Sequence, residues 1–239
     1  MNNEDIADFY DDFSAKQVKT GANERLISLY KRLLKMGLKS TSTVLELGCG
    51  VGNFTHLLAQ KVNSGNIEAV DLSEKSISIA KSKFKSQKTI LFEVADIVTQ
   101  KPKFSNFDFI TLMDVIEHIP LDQHDHLFNN IAGICTEKTL ITINIPNPEY
   151  IRYTRENNPE TLQVIDQEIH LLPLLIIIEK NDLELVLFEK YGIWEVEDYH
   201  FLVIRKKRNF ELKHLANQRK ISEKILKKVS RKIDTVKYR

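Results

Sequence analysis

Cysteine is scarce: only Cys49 and Cys135 occur in 239 residues. A disulfide-stapled scaffold is excluded, and a reducing, cytoplasmic setting is the natural expectation. Long apolar runs are missing too. The longest, Leu171–Ile178, has eight residues with a proline inside, far short of the roughly 20 that a membrane span needs. The acidic Met1-Asn-Asn-Glu-Asp start does not read as a secretory signal. Net charge is only +1, and residues 1–205, with acids in excess, give no electrostatic reason to grip nucleic acid. Glycine (8) and proline (6) are few, which excludes low-complexity and fibrous classes. Where they cluster, they therefore carry information.

What is present is an ordinary globular mixture, 42% hydrophobic and 28% charged. A chain of this size buries enough surface to fold without a metal or disulfide. Its charge is uneven. Residues 206–239 hold 13 Lys/Arg against 3 Asp/Glu, while the rest hold 21 against 30. An acidic body thus precedes a basic tail, and in the tail Ile221, Ile225, Val229 and Ile233 recur at four-residue spacing. That pattern fits a basic amphipathic helix, suited to self-association or to peripheral membrane contact.

Apolar spacing near 3.6 predicts a helix over Glu24–Leu38, and Ile6–Gly21 reads as a short helix before it. From residue 43 the rhythm alternates. Strands are expected at Thr43–Gly48, Asn66–Asp71, Thr89–Ala95, Phe107–Met113 and Lys138–Ile145. Helices are expected at Phe54–Lys61, Glu74–Phe84 and Leu121–Cys135. This alternation implies a parallel sheet covered on both faces. Residues 146–170 break the pattern and are too long for a routine connector. A helix at Leu171–Asn181 follows, and then strands at Leu183–Tyr191 and Asp198–Arg205. The last two lie too close together for a parallel crossover, so they form an antiparallel hairpin.

The sharpest signal is Glu46-Leu-Gly-Cys-Gly-Val-Gly52, between the first strand and the first following helix. Glycines there permit a tight turn and close approach of a ligand to the backbone. Asp71 ends the second strand, where a carboxylate can accept both ribose hydroxyls of a nucleotide-like ligand. No GxxxxGK[ST] occurs, which excludes a Walker-type ATPase. The loop is GxGxG rather than GxGxxG, and Glu46 beside it would repel a pyrophosphate. An acid there suits a ligand carrying an ammonium and a sulfonium; S-adenosylmethionine has both.

These residues resemble the class I S-adenosylmethionine-dependent methyltransferases, in particular their small-molecule branch. The resemblance runs from about residue 40 to 205. It rests on Val44-Leu-Glu-Leu-Gly-Cys-Gly-Val-Gly52, Ala69-Val-Asp-Leu-Ser73, Val94-Ala-Asp96, Phe107-Asp-Phe-Ile and Asp114-Val-Ile-Glu-His118. It implies a Rossmann-like three-layer α/β sandwich, with a seven-stranded, mostly parallel sheet in the order 3-2-1-4-5-7-6. It further implies that Gly48, Gly50 and Gly52 line the methionine part of the cofactor, with Glu46 near its ammonium. Asp71 would take the ribose and Asp96 the adenine amino group. Leu72 and Ile97 would flank the adenine, and Met113 would lie beside the cofactor. Phe9-Tyr-Asp-Asp-Phe-Ser14 resembles the aromatic helical cap of small-molecule members, which makes residues 1–40 a candidate cap on the 41–205 domain.

Asp114, Glu117 and His118 follow the fourth strand, at the sheet edge where open α/β proteins bind ligands. If the turn is helical, the three share a face. His118 could be a general base, with Glu117 assisting. The spacing also resembles the Glu-x-x-Glu-His of metal-dependent branches, with Asp114 in place of the first glutamate. Asp114, Glu117 and His118, with His170 further on, could then hold a divalent metal. A purely structural helix start is the third reading. The 147–170 insert, with Tyr150, Arg152, Tyr153 and Arg155, is placed to lid an acceptor pocket and to meet anionic or hydroxyl groups. Asn144-Ile-Pro-Asn-Pro-Glu-Tyr150 superficially matches the Asn-Pro-Pro-Tyr of nucleobase methyltransferases, but it follows the wrong strand. Cys49 and Cys135 read as packing residues.

The expectation is methyl transfer to O or N of a small polar acceptor, a sugar or nucleotide-sugar first. A quinone-like lipid, or a non-catalytic cofactor-binding partner subunit, is the alternative.

Overall fold

The computed structural model describes residues 17–163, 165–209 and 212. The aromatic cap motif at 9–14 and nearly all of the basic tail lie outside the described residues. Helices are numbered from α1, Glu24–Lys35, which starts where the Asn23 side chain accepts from the Leu26 N–H at 3.1 Å. Strands β1 (Thr43–Leu47), β2 (Asn66–Asp71) and β3 (Ile90–Val94) alternate with helices α2 (Asn53–Lys61) and α3 (Glu74–Lys83). Next come β4 (Phe109–Met113), α4 (His124–Ile134), β5 (Leu140–Pro146), α5 (Pro148–Asn157) and α6 (Leu171–Lys180). The hairpin β6 (Leu183–Tyr191) and β7 (Tyr199–Lys206) completes the sheet.

The seven strands lie in the order β3-β2-β1-β4-β5-β7-β6. Pairings from β3 through β5 are parallel, while β7 runs antiparallel to both β5 and β6. The order is the one the family resemblance implies, and the terminal hairpin is the one expected from the short connection between the last two strands. Strand alternation sorts the core onto two faces. Leu45, Ile110 and Leu202 pack with α4 and α6 through Phe128 and Leu174. Val44, Phe109 and Phe201 pack with α1, α2 and α3 through Leu29, Leu58 and Ile77. Among the described residues, no helix is long and apolar enough to cross a membrane.

Three local expectations differ. The helix expected from Leu121 begins at His124, after a 3₁₀ turn at Leu121–Gln123. The 147–170 insert is not a loop throughout, because Asn147 caps α5 through the Glu149 N–H and Pro148 occupies its first turn. Asp198 does not join β7. Its carboxylate accepts from the N–H groups of Ile193, Trp194 and Glu195 at 2.9–3.2 Å and so closes the hairpin turn.

Candidate active site

At the carboxyl edge of β1, β2, β3 and β4 lies a cavity of about 540 Å³. One end is made by local backbone turns. The glycine loop after β1 is pinned to β2, with Gly48 and Cys49 both donating to the Val70 carbonyl at 2.8 and 2.9 Å. Asp71, at the tip of β2, accepts from Gly50 N at 2.7 Å and from Ser73 N at 3.0 Å. Asp96, just beyond β3, accepts from Val98 N at 2.9 Å. Gly50 has φ +52°, and an added Cβ would stand 2.7 Å from Gln17 Oε1, so the backbone itself forms the wall here.

Glu46, Gly48, Gly50, Asp71, Leu72, Asp96, Ile97 and Met113 all line this cavity. Gly52 does not. It is the left-handed N-cap of α2, and a Cβ there would lie 2.9 Å from the Phe84 ring. The left-handed backbone and the Phe84 ring account for a glycine at this position, because a side chain would displace that ring.

Glu46 is almost wholly buried, and its carboxylate accepts the Thr55 hydroxyl at 2.6 Å. Burial pushes it up to about 8, with the nearby Asp71 carboxylate adding to the effect. A ligand ammonium is the kind of group that would compensate it. The donors and acceptors present thus fit the cofactor that the loop suggests. Cys49 and Cys135 are buried thiols, and burial raises both, Cys135 to about 12. They are unsuited to act as nucleophiles.

The other end is assembled from distant side chains. Asp114 adopts φ 57°, so the stretch 114–118 is not one helical turn; only Ile116–His118 forms a 3₁₀ turn. Asp114 faces Arg25 of α1 (2.7 Å) and accepts from the Asn144 amide (2.7 Å). Burial pushes its carboxyl up, while the guanidinium and the amide pull it back. Arg25 also donates to the Tyr199 hydroxyl at 2.9 Å and lies over the Tyr199 and Trp194 rings. Tyr191 in turn donates to Asn144 at 2.6 Å.

His118 lines the cavity. Its Nδ1 is 2.5 Å from the Ile165 carbonyl and 3.2 Å from the Asp166 carboxylate. Facing two acceptors, Nδ1 is the nitrogen placed to donate. The segment that supplies Asp166 is held on the same turn. Gln167 donates from its backbone to the Glu117 carbonyl (3.0 Å) and from its side chain to the Ile119 carbonyl (2.5 Å).

Among the described residues, no group of three His, Cys, Asp or Glu is arranged to hold a metal ion. Asp114 is turned to Arg25 and Asn144, and His118 uses Nδ1 elsewhere. The expected trio therefore lines one cavity without forming a ligand set. His170 does not join it, being 3.6 Å from Glu168. The insert's arginines are also placed differently from expectation. Arg152 and Arg155 are exposed and pair with Glu168, and neither lines the cavity. From α5, Tyr150, Ile151 and Thr154 do line it.

Arg25, Asp166 and Tyr199 were not legible as site residues. Arg25 sits on the polar side of an ordinary amphipathic pattern, and Asp166 lies in an irregular stretch with no local signature.

Comparison with known proteins agrees with this geometry. Residues 17–208 match the methyltransferase domain family. Trans-aconitate 2-methyltransferase of Variovorax paradoxus is 26% identical over 125 residues, covering 52% of this chain and 46% of that protein. Malonyl-[acyl-carrier protein] O-methyltransferase 2 of Ilyobacter polytropus is 28% identical over 155 residues, covering 65% and 56%. The chain thus spans about half the length of these curated relatives. The crystal structure of a Synechocystis magnesium protoporphyrin IX methyltransferase with bound S-adenosylhomocysteine superposes with a TM-score of 0.67. That match covers 86% of this chain and 99% of that one at 14% identity, so it speaks to the fold alone. With most of its length matched and the strand order 3-2-1-4-5-7-6 in place, the chain belongs to the methyltransferase domain family, of the class I S-adenosylmethionine-dependent fold.

Proposed function

We propose that this chain transfers a methyl group from S-adenosylmethionine to an oxygen or nitrogen of a small acceptor. The observation that carries the reading is Glu46: a buried, uncompensated carboxyl beside a glycine loop, sharing its cavity with Asp71 and Asp96. Glu46 would hold the ammonium of the cofactor, Asp71 its ribose and Asp96 its adenine amino group. Bound there, S-adenosylmethionine supplies a methyl group activated on a sulfonium. Leu72 and Ile97 offer apolar walls for the adenine.

At the other end, His118 acts on the acceptor. Its Nδ1–H is given to the Ile165 carbonyl, so Nε2 is set to receive a proton, and the Asp166 carboxylate stabilises the imidazolium that results. Orientation and exclusion of water by the surrounding wall supply most of the remaining rate. An anionic sugar-type acceptor loses its main support, because Arg152 and Arg155 face away from the cavity.

Calorimetric titration tests the reading. S-adenosylmethionine and S-adenosylhomocysteine should bind and NAD should not; NAD binding alone would reject it. His118→Ala should keep cofactor affinity while cutting label transfer from the methyl-labelled cofactor by roughly 10²–10⁴-fold. Full transfer by that variant would remove His118 as the base.

A further inference from the structure

Two histidines are buried among the described residues, His124 at 2% exposure and His200 at 3%. They are used differently. His200 has no hydrogen-bond partner at Nε2 and meets the Phe188 ring edge-on at 5.0 Å, so it packs as a ring. His124 sets its Nε2 2.9 Å from the Ile116 carbonyl and 3.0 Å from the Ile119 carbonyl. A carbonyl has no hydrogen to give, so Nε2 donates, and its single N–H is shared between the two. Burial holds this ring below the ordinary histidine range, against the pull of both carbonyls and of Asp122. The neutral imidazole is therefore the donor. An apolar side chain could fill the same space but would withdraw a donor from two buried carbonyls.

Those two carbonyls bracket His118. The 3₁₀ turn Ile116–His118 rests on His118 N donating to Val115 O at 3.0 Å and Ile119 N to Ile116 O at 3.2 Å. One such turn does not hold itself. It lies between the left-handed Asp114 (φ 57°) and the extended Ile119 (ψ 132°), so neither β4 nor α4 runs on into it. Side chains from outside do the holding. Gln167 takes the Glu117 and Ile119 carbonyls on one side, and His124 takes Ile116 and Ile119 on the other. His124 is the first residue of α4, which Leu127, Phe128 and Ile131 fix in the core. Unlike His118, it does not line the cavity.

We propose that His124 is a positioning residue for methyl transfer. By holding the Ile116 and Ile119 carbonyls it fixes the turn that carries His118, and so keeps the His118 ring in the cavity against Ile165 and Asp166. The inference rests on the reading above that His118 acts on the acceptor, and it adds to that site a residue outside the cavity. A reacting group displaced by about 1 Å can lose about 10²-fold in rate. The hold on the turn therefore matters to the chemistry although His124 touches neither cofactor nor acceptor.

The test compares His124→Leu, which removes the donor, with His124→Gln, whose amide brings N–H bonds to about the reach of Nε2. Both are studied as full-length protein saturated with S-adenosylhomocysteine. In His124→Leu, NMR should show the His118 and Ile119 amides exchanging about tenfold faster or more, beyond any change in the amides of β1 and β4, with the His118 ring signals displaced. His124→Gln should return both towards wild type. Affinity for S-adenosylhomocysteine should stay within about threefold in each, because His124 does not reach the cavity. Label transfer, in the assay that tests His118, should fall about 10-fold to 10²-fold in His124→Leu and recover in His124→Gln. An equal rise in exchange across the sheet would show that the ring only packs, and overturns the inference. So do His118 signals that His124→Leu leaves in place, or a glutamine variant as impaired as the leucine one. Should His124→Leu fail to fold, His124→Asn keeps an amide, stops short of both carbonyls and must show the same local loss. Full transfer by His118→Ala is read on a different variant; it would end the role of His118, and with it the role assigned to His124.

Discussion

At the glycine-loop end of the cavity, Gly50 and Asp71 are 21 positions apart and joined by a backbone-to-carboxylate bond. At the opposite end, Arg25 and Tyr199 are 174 positions apart and joined side chain to side chain. The first end is a set of strand-to-helix turns, each closed by its own neighbours. The second is a network of charges in which Arg25 of α1, Asp114 after β4, Asn144 of β5 and Tyr199 of β7 hold one another. A backbone-built end tolerates change in most side chains. A charge network does not, because removing one partner strands another in a medium of low dielectric. The difference teaches that one cavity can combine a part closed by local turns with a part held only by long-range side-chain contacts.

The sharpest way to break the comparison is Arg25→Ala. It leaves Asp114 without its cation, and with side-chain exposures of 22% and 12% for the pair the loss should be about 3 kcal/mol. Denaturant midpoints measure it. Arg25→Met combined with Asp114→Asn should recover much of that loss; equal instability in both would show that packing, not charge, holds α1 in place.

Asp71→Ala probes the other end. Hydrogen bonds to a charged group are worth about 1.5–3 kcal/mol, so S-adenosylmethionine affinity should fall about tenfold or more. Its stability cost should be the smaller of the two effects, since the donors it loses, Gly50 N and Ser73 N, lie beside an open cavity. Unchanged affinity would remove Asp71 from the site.

Glu46 gives a pH signature. Its folded value of about 8 stands above the 4.5 of an ordinary glutamate, so the folded chain keeps a proton that the unfolded chain has released. Stability of the unligated protein should therefore fall as pH rises from about 5 to about 8, and then level off. Glu46→Gln should flatten that slope. At pH 7, binding a ligand ammonium should expel the proton, which calorimetry in buffers of different ionisation enthalpy detects. Binding without proton release would place the ammonium elsewhere.

The smallest effect belongs to the insert. Arg152→Ala and Arg155→Ala remove exposed pairs with Glu168, and such pairs contribute little. Neither the melting temperature nor cofactor affinity should change measurably. A clear loss of cofactor affinity in either variant would show that the outer face of α5 bears on the cavity after all.

Much of the glycine-loop end was legible because its signals are local. A glycine has positive φ where a turn needs it, and an acid ends a strand where the next loop begins. Strand alternation and the short β6–β7 connection were enough to give a parallel sheet with a terminal hairpin, while the strand order came from the family resemblance. Gly52 shows the limit of that reading. Its motif position suggested ligand contact, but that the Phe84 ring leaves no room for a side chain there is visible only in the packed fold. The insert shows it again. Two arginines beside two tyrosines read as an acceptor lid, yet α5 turns Arg152 and Arg155 outward to Glu168 and leaves Tyr150 and Thr154 on the cavity.

By itself, then, the sequence determined the layered parallel sheet, its terminal hairpin and the loop residues Glu46, Gly50 and Asp71, because periodicity and turn chemistry act over a few neighbouring residues; the strand order was legible only through resemblance to a family. Tertiary structure alone decided that Asp166 meets His118, that Arg25 neutralises Asp114 and that Glu117 is buried without a partner. Those facts depend on which side chains a closed cavity brings within a few ångströms and shuts away from water, and no spacing along the chain encodes such a distance.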